Sequence, residues 1–310
     1  MGIRATRAVM YAILAAVFYA VSSPLSKVLL EDVSPYLMAS LLYLGAGFGM
    51  MAVRSASPSK RSEERSLTRG DMPYILGMVV LDIAAPILLM YGLLNSPASS
   101  VSLLNNFEIV ATTLIALLVF GERVSSRTWV AIILITASAI ILSTAGAGEL
   151  SFSTGSLAVI LACVCWGIEN NCTRRLSDSG PLRIVVIKGV FSGLGSLVIA
   201  VFMGMGSPTA AEIAGAMALG FVSYGMSLFF YISAQGSLGA AKVSAYYAMA
   251  PFIGAFLSLA LLGEPLTEMF ALALAVMAAG VAVLTWESLR SDPQTADGHD
   301  EGPHRTTPRA

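Results

Sequence analysis

Charge is scarce in this chain. Of its 310 residues, 12% are Asp, Glu, Lys or Arg and 56% are hydrophobic, whereas an ordinary soluble domain is about 25% charged. A water-soluble fold cannot bury that much apolar surface, so the deficit excludes a soluble enzyme or binding module. The net charge of −1, with no basic run interleaved with exposed aromatics, gives nucleic acid nothing to bind. Histidine is nearly missing: His299 and His304 both lie in a polar C-terminal stretch. Cysteine is confined to Cys163, Cys165 and Cys172 within one apolar segment. Without CxxC pairing or a histidine partner, these thiols read as small buried residues rather than metal ligands. A GxSxG nucleophile turn and a phosphate-binding glycine loop are absent as well, so neither a metal nor a cofactor is expected, and an enzyme lacks its usual groups.

What is present is apolar length. Breaking the sequence at charged or Pro/Gly-rich stretches predicts spans near residues 8-30, 34-53, 73-94, 98-120, 127-145, 155-174, 181-203, 212-235, 239-262 and 268-287. Each holds roughly the 20 apolar residues needed to cross about 30 Å of hydrocarbon. The fold class is therefore all-α integral membrane, with ten transmembrane helices and the lipid bilayer as solvent. The first stretch follows Arg4 and Arg7 like a signal peptide, but has no convincing small-residue cleavage site and reads as a permanent helix. Most connections are short enough to force antiparallel hairpins, the segment from Arg54 to Met72 being the one substantial loop. Residues 291-310, rich in Pro, Gly, Asp and Thr, have no apolar period and are expected to form a disordered cytoplasmic tail.

Basic residues set the orientation. With a cytoplasmic N-terminus, the inside receives Arg4, Arg7, Arg54, Lys60, Arg61, Arg65, Arg69, Arg123, Arg127, Arg174, Arg175, Arg183 and Arg290, and the outside only Lys27. Eight or twelve spans would scramble this asymmetry. Both termini are expected in the cytoplasm of a bacterial-type inner (plasma) membrane.

Landmarks recur between the halves. Gly121-Glu122 closes the fourth span and Gly263-Glu264 the ninth, each at the same distance from a small-residue opening, Pro97-Ala98-Ser99 and Gly239-Ala240-Ala241. Phe18-Tyr19 through Lys27 to Pro35 parallels Cys165-Trp166 through Arg174 to Pro181. Five spans separate each pair, and an odd number inverts the second half. The chain thus divides into two inverted five-helix repeats, residues 8-145 and 155-287, an architecture that lets a central site open alternately to either side.

From about residue 8 to 287 the sequence resembles the drug/metabolite transporter superfamily, specifically its EamA-type members with two five-helix repeats. The marks are Gly121-Glu122-Arg123-Val124-Ser125 and Gly263-Glu264-Pro265-Leu266-Thr267, with Trp166-Gly167, Pro251 and Gly280. Two positions depart from repeat symmetry: Ile109, after Glu108, stands where the ninth span has Pro251, and Ser138 where the tenth has Gly280. The resemblance implies a secondary transporter, often an exporter of amino acids or related metabolites, with a central cavity lined by both repeats.

Ionisable residues at membrane depth cost about 2.5 to 3.5 kcal/mol each on insertion scales and tend to face a cavity or a partner. Asp82, Glu108, Glu169, Lys188 and Lys242 lie in that position. Asn105 and Thr112 share a helical face with Glu108, which is either a coupling or amine-binding group or a buried partner of Lys188 or Lys242. Glu169, between Trp166 and Thr173 with Asn170 and Asn171 beside it, either faces the cavity or pairs with Arg174 at the membrane surface. Asp82, four residues before Pro86, is a candidate vestibule or gating residue on a helix expected to kink. The lysines could neutralise those carboxylates or receive a substrate carboxylate. Tyr224, Ser227 and Tyr231 follow helical spacing, as does Tyr246 after Lys242, and each tyrosine either packs or stacks on a substrate. Asn105, Glu108 and Tyr246 are expected on the cavity wall. Gly45 and Gly49, and Gly189 and Gly193, have GxxxG spacing for close helix approach. Glu122 and Glu264, each at a helix C-terminus, are expected to hydrogen-bond to a neighbouring helix or loop, with a transport role as the alternative.

Three buried carboxylates against two lysines favour a cation or zwitterion. The leading expectation is a secondary active exporter of a small amine-bearing metabolite, an amino acid or related cation, working by alternating access with protons as the candidate coupling ion. A multidrug cation extruder is the second reading, and an integral-membrane enzyme or lipid-binding protein the reading from another class.

Overall fold

The computed structural model describes residues 3–56, 65–121, 124–144, 153–176, 179–206, 208–238 and 240–290. Lys60, Arg61, Glu122, Arg123 and the tail 291–310 lie outside the described residues. Among those described, ten helices are long and apolar enough to cross a membrane: α1 Thr6–Leu29, α2 Pro35–Ala56, α3 Arg69–Asn95, α4 Ala98–Val119, α5 Ser126–Thr144, α6 Thr154–Arg175, α7 Leu182–Met203, α8 Ala210–Ala234, α9 Lys242–Leu262 and α10 Glu268–Glu287. They match the predicted spans in number and order. Five fall in each half, so corresponding helices run in opposite directions. The ends at which α1 starts and α10 finishes define the near face, and the α3–α4 and α5–α6 connections lie at the far face.

Local chemistry fixes several boundaries. Pro35 opens α2, where its missing N–H costs nothing. Ser153 caps α6 by accepting the Ser156 N–H, and Thr209 with Glu212 forms a reciprocal capping box on α8. Gly121 and Gly263 stop α4 and α9 in the left-handed conformation, φ 65° and 64°, which only glycine adopts without strain. The glycine of each Gly-Glu pair is thus a helix stop.

Several spans are not continuous α-helix. α1 breaks at Val21, α4 at Asn105-Asn106 and α9 at Ala248-Met249. In α9 the cause is Pro251 at the start of the second half-helix: its ring clashes with the carbonyl four residues back and it donates no hydrogen bond. α4 has Ile109 instead, yet breaks one repeat-equivalent residue away. There the Glu108 and Ile109 N–H groups reach back three residues, to the Asn105 and Asn106 carbonyls at 3.1 Å each, and the Asn106 amide donates to the Leu103 carbonyl at 3.3 Å. Paired asparagines compete for the helical ladder and take the place of the proline. α7 and α8 carry wider π turns at Lys188–Ser192 and Phe221–Met226. α3, expected to kink at Pro86, is an unbroken helix from Met72 to Asn95 with that proline inside it and buried.

α2 is wedged between α7 and α8 at backbone distance. A Cβ on Gly45 would lie 2.0 Å from the Met217 carbonyl oxygen, one on Gly220 2.0 Å from the Leu42 oxygen, and one on Gly189 2.5 Å from Gly47. The first GxxxG pair therefore meets α8, while Gly189 and Gly193 meet α2. Gly45→Ala is expected to lower the thermal midpoint of the purified protein by many degrees, because the backbone there cannot yield. Gly215→Ala, whose Cβ would meet nothing closer than 3.9 Å, is expected to leave it unchanged or raise it slightly through better helix propensity. Melts of the two variants in one detergent check both.

The largest apolar core lies toward the far face. It gathers Leu30, Val33, Leu37, Leu93, Val101, Leu104 and Leu142 with Ala216 and Leu219 of the second half. A backbone bridge between Val33 and Gly206 ties the two halves there.

Candidate substrate site

A cavity of about 250 Å³ lies at the centre, lined by both halves. Asn105, Asn106, Glu108 and Ile109 come from the break in α4, and Tyr247, Ala248 and Pro251 from the break in α9. α6 contributes Trp166, Glu169 and Asn170; Tyr19, Tyr43, Lys188 and Tyr224 come from α1, α2, α7 and α8. Glu169, Asn170, Lys188 and Tyr247 sit within about two helical turns of the near-face ends of their spans, so the cavity extends from the middle toward that face.

Glu108 reaches the cavity because α4 and α6 touch closely. A Cβ on Gly167 would be 2.8 to 2.9 Å from Ala111 and the Thr112 nitrogen, so glycine after Trp166 is what lets the helices meet. One turn on, the Asn170 amide donates to Glu108 Oε1 at 2.6 Å and to Thr112 Oγ1 at 3.2 Å. Asn171 donates to the Thr112 carbonyl at 3.3 Å. Thr112 thus braces Asn170 from behind the cavity wall.

Lys188 is held elsewhere. Its ammonium lies 3.0 Å from Glu169 Oε1 and 3.2 Å from Asp82 Oδ2, and the Thr173 hydroxyl also donates to Glu169. Asp82 is fully buried behind the lysine rather than in a vestibule; its Oδ1 accepts the Tyr43 hydroxyl at 3.0 Å, which in turn accepts the Trp166 indole N–H at 3.4 Å. A chain of polar contacts therefore runs from the cavity wall into the core. Of the pairings left open by the sequence, the ion pair of Lys188 is with Asp82 and Glu169, while Glu108 receives a neutral amide. Glu169 is buried, 1% exposed.

The tyrosines form one cluster. The Tyr19 ring lies 5.9 Å from Tyr224 and 5.5 Å from Tyr247, and Tyr43 lies 5.7 Å from Tyr224. Asn105 and Asn106, 7% and 1% exposed, keep side-chain oxygens with no hydrogen-bond partner among the described residues. Both belong to cavity-lining side chains.

Six predicted site residues thus line the cavity: Asn105, Glu108, Trp166, Glu169, Lys188 and Tyr224. Others do not. Tyr246, expected on the wall, packs with Ala12, Ala234 and Val243; its neighbour Tyr247 takes the place, about 100° around the helix. Ser227 donates to the Ala15 carbonyl at 2.8 Å, and Tyr231 meets Ser244 at 2.8 Å. Lys242 and Pro86 are not on the wall. Sequence reasoning misses Tyr19, Tyr43, Asn106, Asn170 and Tyr247, although repeat alignment already sets Tyr19 opposite Trp166.

The model of the EamA-like transporter family matches twice, over residues 6–144 and 153–286. The chain belongs to the EamA-like transporter family. It is a multi-pass membrane transporter of the drug/metabolite transporter superfamily, and the two matches fall on its two five-helix halves. It is 27% identical over 296 residues, 88% of this chain and 84% of the other, to an uncharacterized transporter of Methanothermobacter thermautotrophicus. A protein of known crystal structure, 17% identical, shares the fold with a TM-score of 0.67, over 95% of this chain and 99% of the other.

Proposed function

We propose that this transporter is a secondary active exporter of a small amine-bearing metabolite, an amino acid or related cation, moved by alternating access of the two repeats and coupled to protons. The observation that carries the reading is the state of Glu108. It is a carboxylate on the cavity wall whose partner is a neutral amide, while the neighbouring lysine is engaged by two other carboxylates. A carboxylate so placed calls for a cation from outside the protein, an amine or a proton. The surrounding tyrosines suit an amine, which their ring faces attract, and the unpartnered amide oxygens of Asn105 and Asn106 are further acceptors for ammonium hydrogens.

Cavity size supports this reading over multidrug extrusion: about 250 Å³ is below the roughly 300 to 1,000 Å³ of drug-sized pockets. In proteoliposomes with an imposed proton gradient, amino acids and small amines are expected to move, and tetraphenylphosphonium is not. Movement of the lipophilic cation alone overturns the substrate class; no gradient-driven movement of either overturns secondary transport. Tyr247→Ala is expected to raise KM roughly two- to thirtyfold, from about 0.5 to 2 kcal/mol for a lost cation–π contact, while Tyr246→Ala leaves it unchanged.

The near face is assigned to the cytoplasm of a bacterial-type inner membrane, with both termini inside, on the excess of basic residues there. A cysteine introduced between Lys60 and Arg65 is expected to react with an impermeant reagent in inverted vesicles and not in intact cells.

A further inference from the structure

The first half of α4, Ala98–Leu104, stands between two cavities. Asn105, at its end, lines the central one, while Ser99 and Ser100, near its start, line a second cavity of about 680 Å³ at the far face. Ala98, Val101, Leu103 and Leu104 are each 0% exposed, so this short helix is the plug that parts the two spaces. Its inner end is the asparagine break, a place where a helix can change direction.

Its outer end is fastened from outside its own sequence. The preceding residue, Pro97, supplies no side-chain cap, which leaves the first N–H groups without a local acceptor. Glu264, just beyond the glycine stop of α9, takes them: its two oxygens accept from the Ala98 and Ser99 N–H groups at 2.6 and 2.9 Å. On the other side of the same turn, the ammonium of Lys27 binds the last carbonyls of α3. It donates to Leu93, to Leu94 at 3.3 Å and to Ser96 at 3.0 Å. An anion on a helix start and a cation on a helix end both oppose the local dipole, so the α3–α4 turn is gripped at both its ends. Glu264 belongs to the second repeat and the turn to the first. The far-face cavity is lined by Ser96 and Pro97 of the turn and by Pro265 and Glu268 beside Glu264, so the fastening lies at its wall.

We propose that Ala98–Leu104 is the outer gate of the transport path, hinged at Asn105-Asn106, with Glu264 and Lys27 as the latch that holds it shut. The latch residues are positioning residues: they touch the turn, and through the rigid half-helix they set where Asn105 stands. Opening detaches Glu264 from the turn and joins the far-face cavity to the central one. The inference rests on transport through the central cavity, but its test does not require the substrate to be known.

The test is outside accessibility of Ser102→Cys, a near-isosteric change at a plug residue 2% exposed, in protein lacking Cys163, Cys165 and Cys172. An impermeant maleimide is added from the far side of oriented vesicles. Glu264→Gln and Lys27→Met are each expected to speed labelling about tenfold or more, the shift in open population that follows loss of a charged hydrogen-bonding group. Glu264→Asp and Lys27→Arg, which keep the charges, are expected to stay near the parent rate. Glu212→Gln removes a capping carboxylate of the same face that bridges no repeats, and is expected to change nothing. Labelling unchanged in Glu264→Gln and Lys27→Met, or accelerated equally by Glu212→Gln, overturns the latch. Where Glu264→Gln is not recovered folded, Lys27→Met against Lys27→Arg decides the same question. Accelerated labelling in a protein that moves no amine leaves the gate standing and removes the substrate assignment alone.

Discussion

Glu108→Gln is expected to abolish transport while leaving the protein as stable as the parent. Stability depends on what Glu108 touches. Its hydrogen bond comes from the Asn170 amide at 2.6 Å, and a glutamine carbonyl can still accept that bond. No lysine is orphaned by the change, since Lys188 keeps Asp82 and Glu169 at 3.2 and 3.0 Å. The fold therefore has little to lose. Under the proposed role the change removes the negative charge that would receive the amine or the proton, so gradient-driven uptake and substrate exchange should both fall to background. Reconstituted flux and a thermal melt on the same preparation test both halves of the expectation. A destabilised variant with intact flux would falsify the assignment, and surviving exchange without net flux would restrict Glu108 to the proton.

Lys188→Met should do the reverse, striking stability first. It leaves Asp82 and Glu169, 0% and 1% exposed, as neighbouring buried carboxylates with no ammonium between them. Removing one partner of a buried ion pair costs about 3 to 5 kcal/mol, a large share of a membrane protein's margin. Restoring the balance by adding Asp82→Asn should recover most of the loss, because the amide still accepts the Tyr43 hydroxyl. A Lys188→Met protein that melts with the parent would show that the triad carries no structural load.

The ten spans, their order and the inversion of the halves are legible in the sequence because they depend on local quantities: apolar length, basic flanks and recurring Gly-Glu stops. Much of the cavity wall is legible too, for polar groups such as Glu108 and Glu169 are conspicuous in apolar helices. Pairing is not. Lys188 meets carboxylates on α3 and α6, and nothing within α7 says which neighbours it will face. Helical spacing from Lys242 favours Tyr246 over Tyr247, but the rotation of α9 about its axis is set by packing against other helices. Pro251 announces its helix break, whereas the equivalent break in α4 follows from competing asparagine amides and has no comparably plain signal. Tyr19 and Tyr43 are single tyrosines on apolar helices, where a packing ring and a binding ring look alike until the repeats are overlaid.

The glycine contacts of α2 also have a mechanical meaning. With its backbone against that of α7 at Gly47 and Gly189, and against that of α8 at Gly45 and Gly220, α2 is held main chain to main chain on both flanks. Surfaces that meet main chain to main chain cannot slide by rotamer changes; they move together or separate outright. Under the proposed alternating access, α2, α7 and α8 are expected to move as one unit, and the displacement to fall on α4 and α9, whose helices are interrupted at the cavity. A crosslink between α2 and α8 should then be silent in transport, whereas one spanning the joint of α4 should arrest it.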